Sequence, residues 1–390
     1  IMKMLMLSDV YFPRVNGVST SIQTFRHQLQ ELGHEIWLVV PEYGEPRADE
    51  RGIERVASRR VLFDPEDRMM RPRSLAQRLA MLRSRQFDLV HVQTPFVAHY
   101  AGLRWARRLG VPCAETYHTF FEEYLFHYLP ILPKNAWRAV ARQISRRQCN
   151  QLDGLVVPSR AMHEILVQYG VRTKMRVIPT GMPVDAFQQG DGAAFRARHD
   201  IGRDRPTLVF VGRVAFEKNI EFLLRVTHEL KRTTHPDIAL IVAGEGPARN
   251  RLRRLGTTLG LEANVHFVGY LARGAELSGC YRAGDAFVFA SRTETQGLVL
   301  LEAMSLGVPV VSTAVMGTRD ILAAERGALV AEEDVMHFAA QVRRLLDDAE
   351  LRRRLGEEGR IYAAQWTARG FAEALLAFYR DVQVGRSGSV

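Results

Sequence analysis

Cysteine is scarce in this sequence and long apolar runs are missing, and each shortage closes off a class of protein. The three cysteines, Cys113, Cys149 and Cys280, share no paired spacing. That excludes a disulfide framework or a cysteine-built zinc site and fits the reduced thiols of the cytosol. No stretch approaches the roughly 18–20 consecutive apolar residues that cross a bilayer, so a spanning helix is excluded. The apolar opening from Met2 to Leu7 is too short for the core of a secretion signal and reads as the start of a strand. No short repeat recurs.

What is there is a chain of 390 residues with 47% hydrophobic content, enough for two cores rather than one. In the first half, strands at Met4–Leu7, Glu35–Val40, Leu89–Val92, Cys113–Thr116 and Leu155–Val157 alternate with helical patterns at Ser19–Leu32 and about Val97–Leu109. Between Gly44 and Gln86 the pattern loosens, and we read strands near Val56–Phe63 and an exposed basic helix. The second half repeats the scheme, with strands at Leu208–Val211, Ala239–Ala243, Val265–Val268, Ala286–Ala290 and Pro309–Ser312. Strands separated by helices imply parallel sheets with right-handed crossovers, an α/β fold. Pro179-Thr180-Gly181-Met182-Pro183 breaks both patterns and marks the linker. The expected domains are therefore 1–180, 181–368, and a closing helix with a disordered tail over 369–390.

Charge is unevenly placed. Residues 1–180 hold 26 Lys+Arg against 17 Asp+Glu, whereas the remainder is nearly balanced, 27 against 26. The basic excess of the first half points to an anionic partner for that domain.

Two local patterns carry chemistry. Glu294 and Glu302 enclose Thr295-Gln296-Gly297-Leu298-Val299-Leu300-Leu301. Gly297 is expected to end a strand and open a helix, leaving Glu294 in the loop and Glu302 about two turns along. The amides of Gly297 and Leu298 would then face a docking anion. Alone, two glutamates at this spacing read equally as solvated carboxylates on a helix start. Upstream, an apolar strand ends at Gly212 and a helical pattern begins at Asn219, so Arg213 and Lys218 lie in a strand-to-helix loop. Ligands of open α/β sheets bind at such strand ends. A planar fork and a compact ammonium there suit a diphosphate.

Together with Asn16-Gly17-Val18, Ala243-Gly244-Glu245-Gly246-Pro247, Phe267-Val268-Gly269-Tyr270 and Glu302-Ala303-Met304, these patterns occur in one order along nearly the whole chain. That order resembles the retaining GT-B glycosyltransferases of family 4, whose two Rossmann-like domains face a central cleft. The resemblance implies a sugar-nucleotide donor, with Arg213, Lys218 and the amides of Gly17, Gly297 and Leu298 around the diphosphate. It places Glu302 on the ribose, Gly269 beside the nucleobase, and Glu294 and Gln296 near the donor sugar. His118, after the Val111–Thr116 strand, falls where the family sets a histidine beside that sugar; a lone histidine can equally be a packed core residue. No metal cofactor is expected, since fixed cations take its place and the Asp-x-Asp of the other large glycosyltransferase fold is absent.

Three rivals fare worse. A nicotinamide enzyme would need Gly or Ala where Arg249 follows Gly244-Glu245-Gly246. A nucleic-acid binder would not set paired glutamates at a phosphate site, and no partner of that kind is expected. A non-catalytic sugar-nucleotide module would have been free to lose Arg213, Lys218, Glu294 and Glu302.

The acceptor is read from Thr116-Tyr117-His118-Thr119, Tyr124, His127, and Gln296 where many family members carry Phe. These resemble the branch that glucosylates diacylglycerol, which implies UDP-glucose as donor. Independently, Lys134, Arg138, Arg142 and Arg146 recur every four residues on one helix face, with Trp137, Val140, Ala141 and Ile144 around the other side. Such a helix can lie on anionic lipid at about 1 kcal/mol per cation, as a peripheral protein on the inner face of the cytoplasmic membrane. The same face reads otherwise as plain solvated charge. The competing enzyme is a mannosyl- or glucosyltransferase acting on a soluble sugar or a glycan precursor.

Overall fold

The structure, a computed structural model, describes residues 1–44, 51–61, 68–120, 133–182 and 189–387. It separates into two compact units, Ile1–Gly181 with Ala368–Val390, and Met182–Thr367.

The first unit runs β1 (Lys3–Leu7), α1 (Gly17–Glu31), β2 (Glu35–Pro41), β3 (Ile53–Val56), β4 (Ser58–Arg60), β5 (Arg68–Met70), α2 (Pro72–Leu82), β6 (Leu89–Val92), α3 (Val97–Leu109), β7 (Cys113–Thr116), α4 (Lys134–Cys149), β8 (Gly154–Val157), α5 (Arg160–Gln168) and β9 (Met175–Val177). Seven strands form one parallel sheet in the order β3-β2-β1-β6-β7-β8-β9. Met4, Leu5, Met6 and Leu7 are all buried, because helices cover both faces of a parallel sheet and its central strands must be apolar throughout. β4 and β5 form a separate antiparallel pair.

The second unit runs α6 (Gly192–Arg198), β10 (Thr207–Val211), α7 (Ile220–Thr233), β11 (Ala239–Ala243), α8 (Arg249–Thr258), β12 (Val265–Gly269), α9 (Ala275–Arg282), β13 (Ala286–Phe289), α10 (Leu298–Ser305), β14 (Val310–Ser312), α11 (Thr318–Leu322), β15 (Ala328–Val330), α12 (Val335–Asp347) and α13 (Ala349–Ala363). Its parallel sheet has the order β12-β11-β10-β13-β14-β15. Both sheets thus wind outward from a first strand and then reverse, which is the Rossmann scheme. The reversal falls between β1 and β6 in one unit and between β10 and β13 in the other.

The last helix, α14 (Ala368–Ser387), packs in the first unit's core through Ala372, Leu375, Phe378, Tyr379 and Val382. A Cβ on Gly154 would come within 2.6 Å of Val382 Cγ2, so the glycine in β8 is what lets this helix approach.

Several expectations need correction. The segment read as a disordered tail begins inside α14, which propagates past its last packed residue, Val382, through Gly385 to Ser387. The basic helix α2 is not wholly exposed: Leu75, Leu79 and Leu82 are buried at helical spacing. β9 and β15, three residues each, were too short to carry a period. Leu62 and Phe63, in the expected strand near Val56–Phe63, lie outside the described residues, as does Pro183 of the linker.

Candidate functional site

In the second unit, polar side chains gather at the carboxyl ends of β10 and β13, where the strand order reverses. The loop after β10 is held by its neighbour. Gly212 N–H donates to Ala243 O at 3.0 Å, Val214 N–H to Glu245 O at 2.9 Å, and Ala248 N–H to Val214 O at 3.0 Å. A Cβ on Gly244 would lie 1.9 Å from Gly212 O. The glycines of Ala243–Pro247 therefore serve close approach: they let two loops stack and fix Arg213, which is half-buried.

Lys218 ends a short 3-10 turn (Phe216–Lys218). Asn219 follows with φ 54°, and its Nδ2 donates to Ala290 O at 3.1 Å. That bond ties the start of α7 to the end of β13. Across it, Lys218 Nζ forms an ion pair with Glu294 Oε1. The pairing was not foreseen, since the two lie 76 positions apart.

Gly297 opens α10 with φ 88°, a conformation in which a side chain is strained. It does not end a strand, as expected; β13 stops at Phe289 and a loop intervenes. That loop is braced from behind, with Gly317 N–H donating to Glu294 O at 2.8 Å. Glu302 sits on the second turn of α10. The solvated-carboxylate alternative fails, because the Glu294 and Glu302 side chains are only 14% and 4% exposed. Glu302 accepts from Tyr281 Oη at 2.6 Å and from Arg273 Nη2 at 3.1 Å. Gln296 is buried nearby in sequence, and Gly269, φ 77°, ends β12.

In the first unit the corresponding edge is a buried polar network. Asp9, just past β1, accepts from Thr94 Oγ1 at 2.6 Å and from Ala98 N–H at 3.1 Å, at the start of α3. Burial raises its pKa to about 6 against the bonds from Thr94, Ala98 and Phe96 that lower it. His99 Nδ1 and Glu115 Oε2 lie 2.5 Å apart, both buried. Burial also pushes the Glu115 carboxyl up. His118 follows β7 and lies partly exposed, with Nε2 2.9 Å from Gln93 Oε1. Desolvation holds its pKa down at about 4, so the ring is neutral at pH 7. Gly17, the first residue of α1, is exposed, with no atom within 4 Å of where a Cβ would stand. Asn16 caps that helix, accepting from Ser19 N–H at 2.8 Å.

Asp9, Gln93, Thr94, Asn219, Arg273 and Tyr281 were not singled out from the sequence. Asp9 and Gln93, polar residues just past apolar strands, carried a local signal.

On α4, Arg138, Arg142 and Arg146 are exposed. Arg142 is partly committed, with its guanidinium 5.4 Å from the centre of the Tyr169 ring. The packed face differs from expectation. Ala141, Ser145 and Gln148 are buried, Trp137 and Ile144 half-buried, and Val140 is 40% exposed. Tyr124 and His127 lie outside the described residues, and the Lys134 side chain is likewise not described. All three cysteines are buried, and none forms a disulfide. Among the described residues, no cluster of three His, Cys, Asp or Glu side chains has metal-holding geometry. No described helix is long and apolar enough to cross a membrane.

Two Rossmann-ordered halves, each with polar residues gathered at its reversal point, define a GT-B architecture. The chain matches the family model described as Glycosyltransferase Family 4 over residues 15–186, and that described as Glycosyl transferases group 1 over residues 191–362. It is 32% identical over 321 residues to the alpha-monoglucosyldiacylglycerol synthase of Streptococcus pneumoniae, covering 80% of this chain and 71% of that one. It is 29% identical over 400 residues to a GDP-mannose-dependent alpha-mannosyltransferase of Mycolicibacterium smegmatis, covering 99% of each. The solved structure of Anabaena Alr3699/HepE in complex with UDP and glucose matches with a TM-score of 0.78 at 16% identity, over 98% of this chain and 100% of that one. That last likeness is one of fold. The chain belongs to the GT-B glycosyltransferases of family 4.

Proposed function

We propose that the protein is a retaining hexosyltransferase that moves glucose from UDP-glucose to a membrane lipid such as diacylglycerol. The observation that carries the donor half is the ion pair between Lys218, in the loop after β10 that also holds Arg213, and Glu294, in the loop after β13 that leads into α10. The lipid half is supported by the likeness to the pneumococcal alpha-monoglucosyldiacylglycerol synthase and by the exposed arginines of α4.

In this reading Arg213, Lys218 and the amides of Gly17, Gly297 and Leu298 take up the negative charge that grows on the departing diphosphate. Lys218 has three donors, so it can hold Glu294 and still reach phosphate oxygens. Glu294 and Gln296 orient the sugar, Glu302 takes the ribose hydroxyls, and Gly269 lies beside the base. His118, neutral, bonds the sugar. The acceptor oxygen bonds to the anomeric carbon as the bond to the diphosphate breaks, and the acceptor's proton passes to a phosphate oxygen on that same face. A covalent sugar–enzyme intermediate is disfavoured, because Glu294 is engaged by Lys218 and Glu302 by Arg273 and Tyr281.

The test is transfer from labelled UDP-glucose and GDP-mannose to detergent-dispersed diacylglycerol and to soluble sugars, with and without EDTA. The expected result is glucosyl transfer to the lipid with retained anomeric configuration, undiminished by chelation. Loss on chelation with recovery on adding magnesium or manganese contradicts the protein-cation mechanism. Transfer from GDP-mannose to a soluble sugar favours the second reading, whose donor is the one the mannosyltransferase relative is named for.

A further inference from the structure

Glu302 is enclosed on both carboxylate oxygens by partners of different kinds. Tyr281, on α9, is fully buried, and its ring lies 5.5 Å from that of Phe287, so its hydroxyl has little freedom. Burial and the charge of Glu302 hold its pKa well above 10, which keeps it a donor to Oε2 at any working pH. Arg273 lies in the loop after β12, four residues past Gly269, and donates to Oε1 with a side chain 27% exposed. One lone pair on each oxygen is thereby used. An ionised carboxylate has about four such sites, so one remains on each oxygen, held in a fixed plane. Two acceptors side by side are what a vicinal diol needs. A buried ion pair is weak grounds for expecting stability alone.

We propose that Arg273 and Tyr281 are positioning residues that lock the Glu302 carboxylate in the orientation that reads the ribose diol of the donor nucleotide. The inference rests on the assignment of Glu302 to the ribose made above. Arg273 fixes one oxygen from the solvent side and Tyr281 fixes the other from the core, so freeing either lets the carboxylate rotate about its last torsion.

The experiment is calorimetric titration of the full chain with UDP and 2′-deoxy-UDP, and in parallel with GDP and 2′-deoxy-GDP. The wild type is expected to prefer the ribonucleotide by about tenfold, as a charge-assisted bond predicts. Arg273→Ala should weaken the ribonucleotide while leaving the deoxynucleotide nearly unchanged, so that the preference falls to within about twofold. Arg273→Lys, which keeps a donor to Oε1, should restore part of it. Tyr281→Phe should also erode the preference, and serves if the arginine variant does not fold. Thermal melts identify any variant whose loss is one of folding. A preference lost in Glu302→Gln but kept in both Arg273→Ala and Tyr281→Phe overturns the positioning role and leaves the ribose assignment standing. No preference in the wild type overturns the ribose assignment and this inference with it.

Discussion

Lys218 and Glu294 show how a single contact changes the reading of two residues. Each was expected to meet the donor separately, yet they are ion-paired across 76 positions of chain. A cation already neutralised by a carboxylate is still useful to a transition state, provided the charge that develops there is larger than the charge it leaves. A departing diphosphate satisfies that condition. Lys218→Ala and Arg213→Ala should each lower turnover by ~10²–10³, roughly 2.7–4 kcal/mol, with a smaller change in donor affinity. Steady-state kinetics decide it; near-normal turnover in both variants removes the diphosphate clamp. The sequence put both cations in the loop they occupy because a strand ending at Gly212 and a helix starting near Asn219 leave no other place for them. It did not reveal that Lys218 meets Glu294, or that Arg273 and Tyr281 meet Glu302, because these contacts form only once distant strands are adjacent.

At the scale of elements, the long periodic segments were legible. β6, α3, β7 and β11 begin and end where their apolar patterns do. Three-residue strands such as β9 and β15 were not, because two or three residues cannot display an alternation. α4 was expected as a helix with one basic face, and its basic positions are exposed, but Val140 stands out in solvent. Packing chose Ala141, Ser145 and Gln148 instead, small or polar residues that no hydrophobic pattern would mark. α14 is anchored by a polar contact within its apolar face, Tyr379 Oη lying 2.5 Å from His91 Nδ1, with His91 Nε2 2.8 Å from Thr116 Oγ1. Tyr379→Phe leaves a buried ring nitrogen without its partner and should destabilise the first unit by about 1–3 kcal/mol. Denaturant midpoints at constant slope measure this. A loss below about 0.5 kcal/mol would mean that the contact contributes nothing beyond packing.

Over the whole molecule, buried ionisable groups set how stability responds to acid. His91 titrates in the fold at about 3 and His118 at about 4, against 6.5 in an open chain, both through desolvation. Below pH 6.5 the unfolded state therefore binds protons that the fold refuses, so both groups lose stability as pH falls toward their folded values. For His91 at pH 5 the loss is about 2 kcal/mol, and the partly exposed His118 adds a smaller amount. Asp9 acts oppositely. Its folded value of about 6 lies above the ordinary 3.8, so it favours the folded state as pH falls through 6, returning about 1 kcal/mol at pH 5. The net expectation is a loss of about 1–2 kcal/mol between pH 7 and 5, read from chemical denaturation at the two values. An increase in stability over that range would contradict the burial of the histidines.

The basic excess of residues 1–180 belongs to the same scale. If the exposed arginines of α4 meet lipid, the protein should sediment with vesicles containing anionic lipid and not with neutral ones. It should be released as salt rises from ~0.1 to ~0.5 M, because the screening length shortens from about 10 Å to less than half that. Arg138→Glu with Arg142→Glu should abolish sedimentation and leave nucleotide binding intact. Equal binding to neutral and anionic vesicles, or none to either, favours a soluble acceptor.

The sequence by itself determined the class of this protein. Alternating strand and helix periods dictate parallel sheets, and the ordered motifs, Gly17, Arg213, Lys218, Gly269 and the Glu294–Glu302 pair among them, mark the family. These are local signals, written in spacings of a few residues. Tertiary structure alone decided which charges are paired, which glycines exist for close approach, and which histidines are neutral. It set Glu294 on Lys218, closed Arg273 and Tyr281 around Glu302, and sank Asp9, His91 and Glu115 into a desolvated network. Those properties depend on distances between residues far apart in the chain and on the exclusion of water around them, and neither is encoded in any one stretch of sequence.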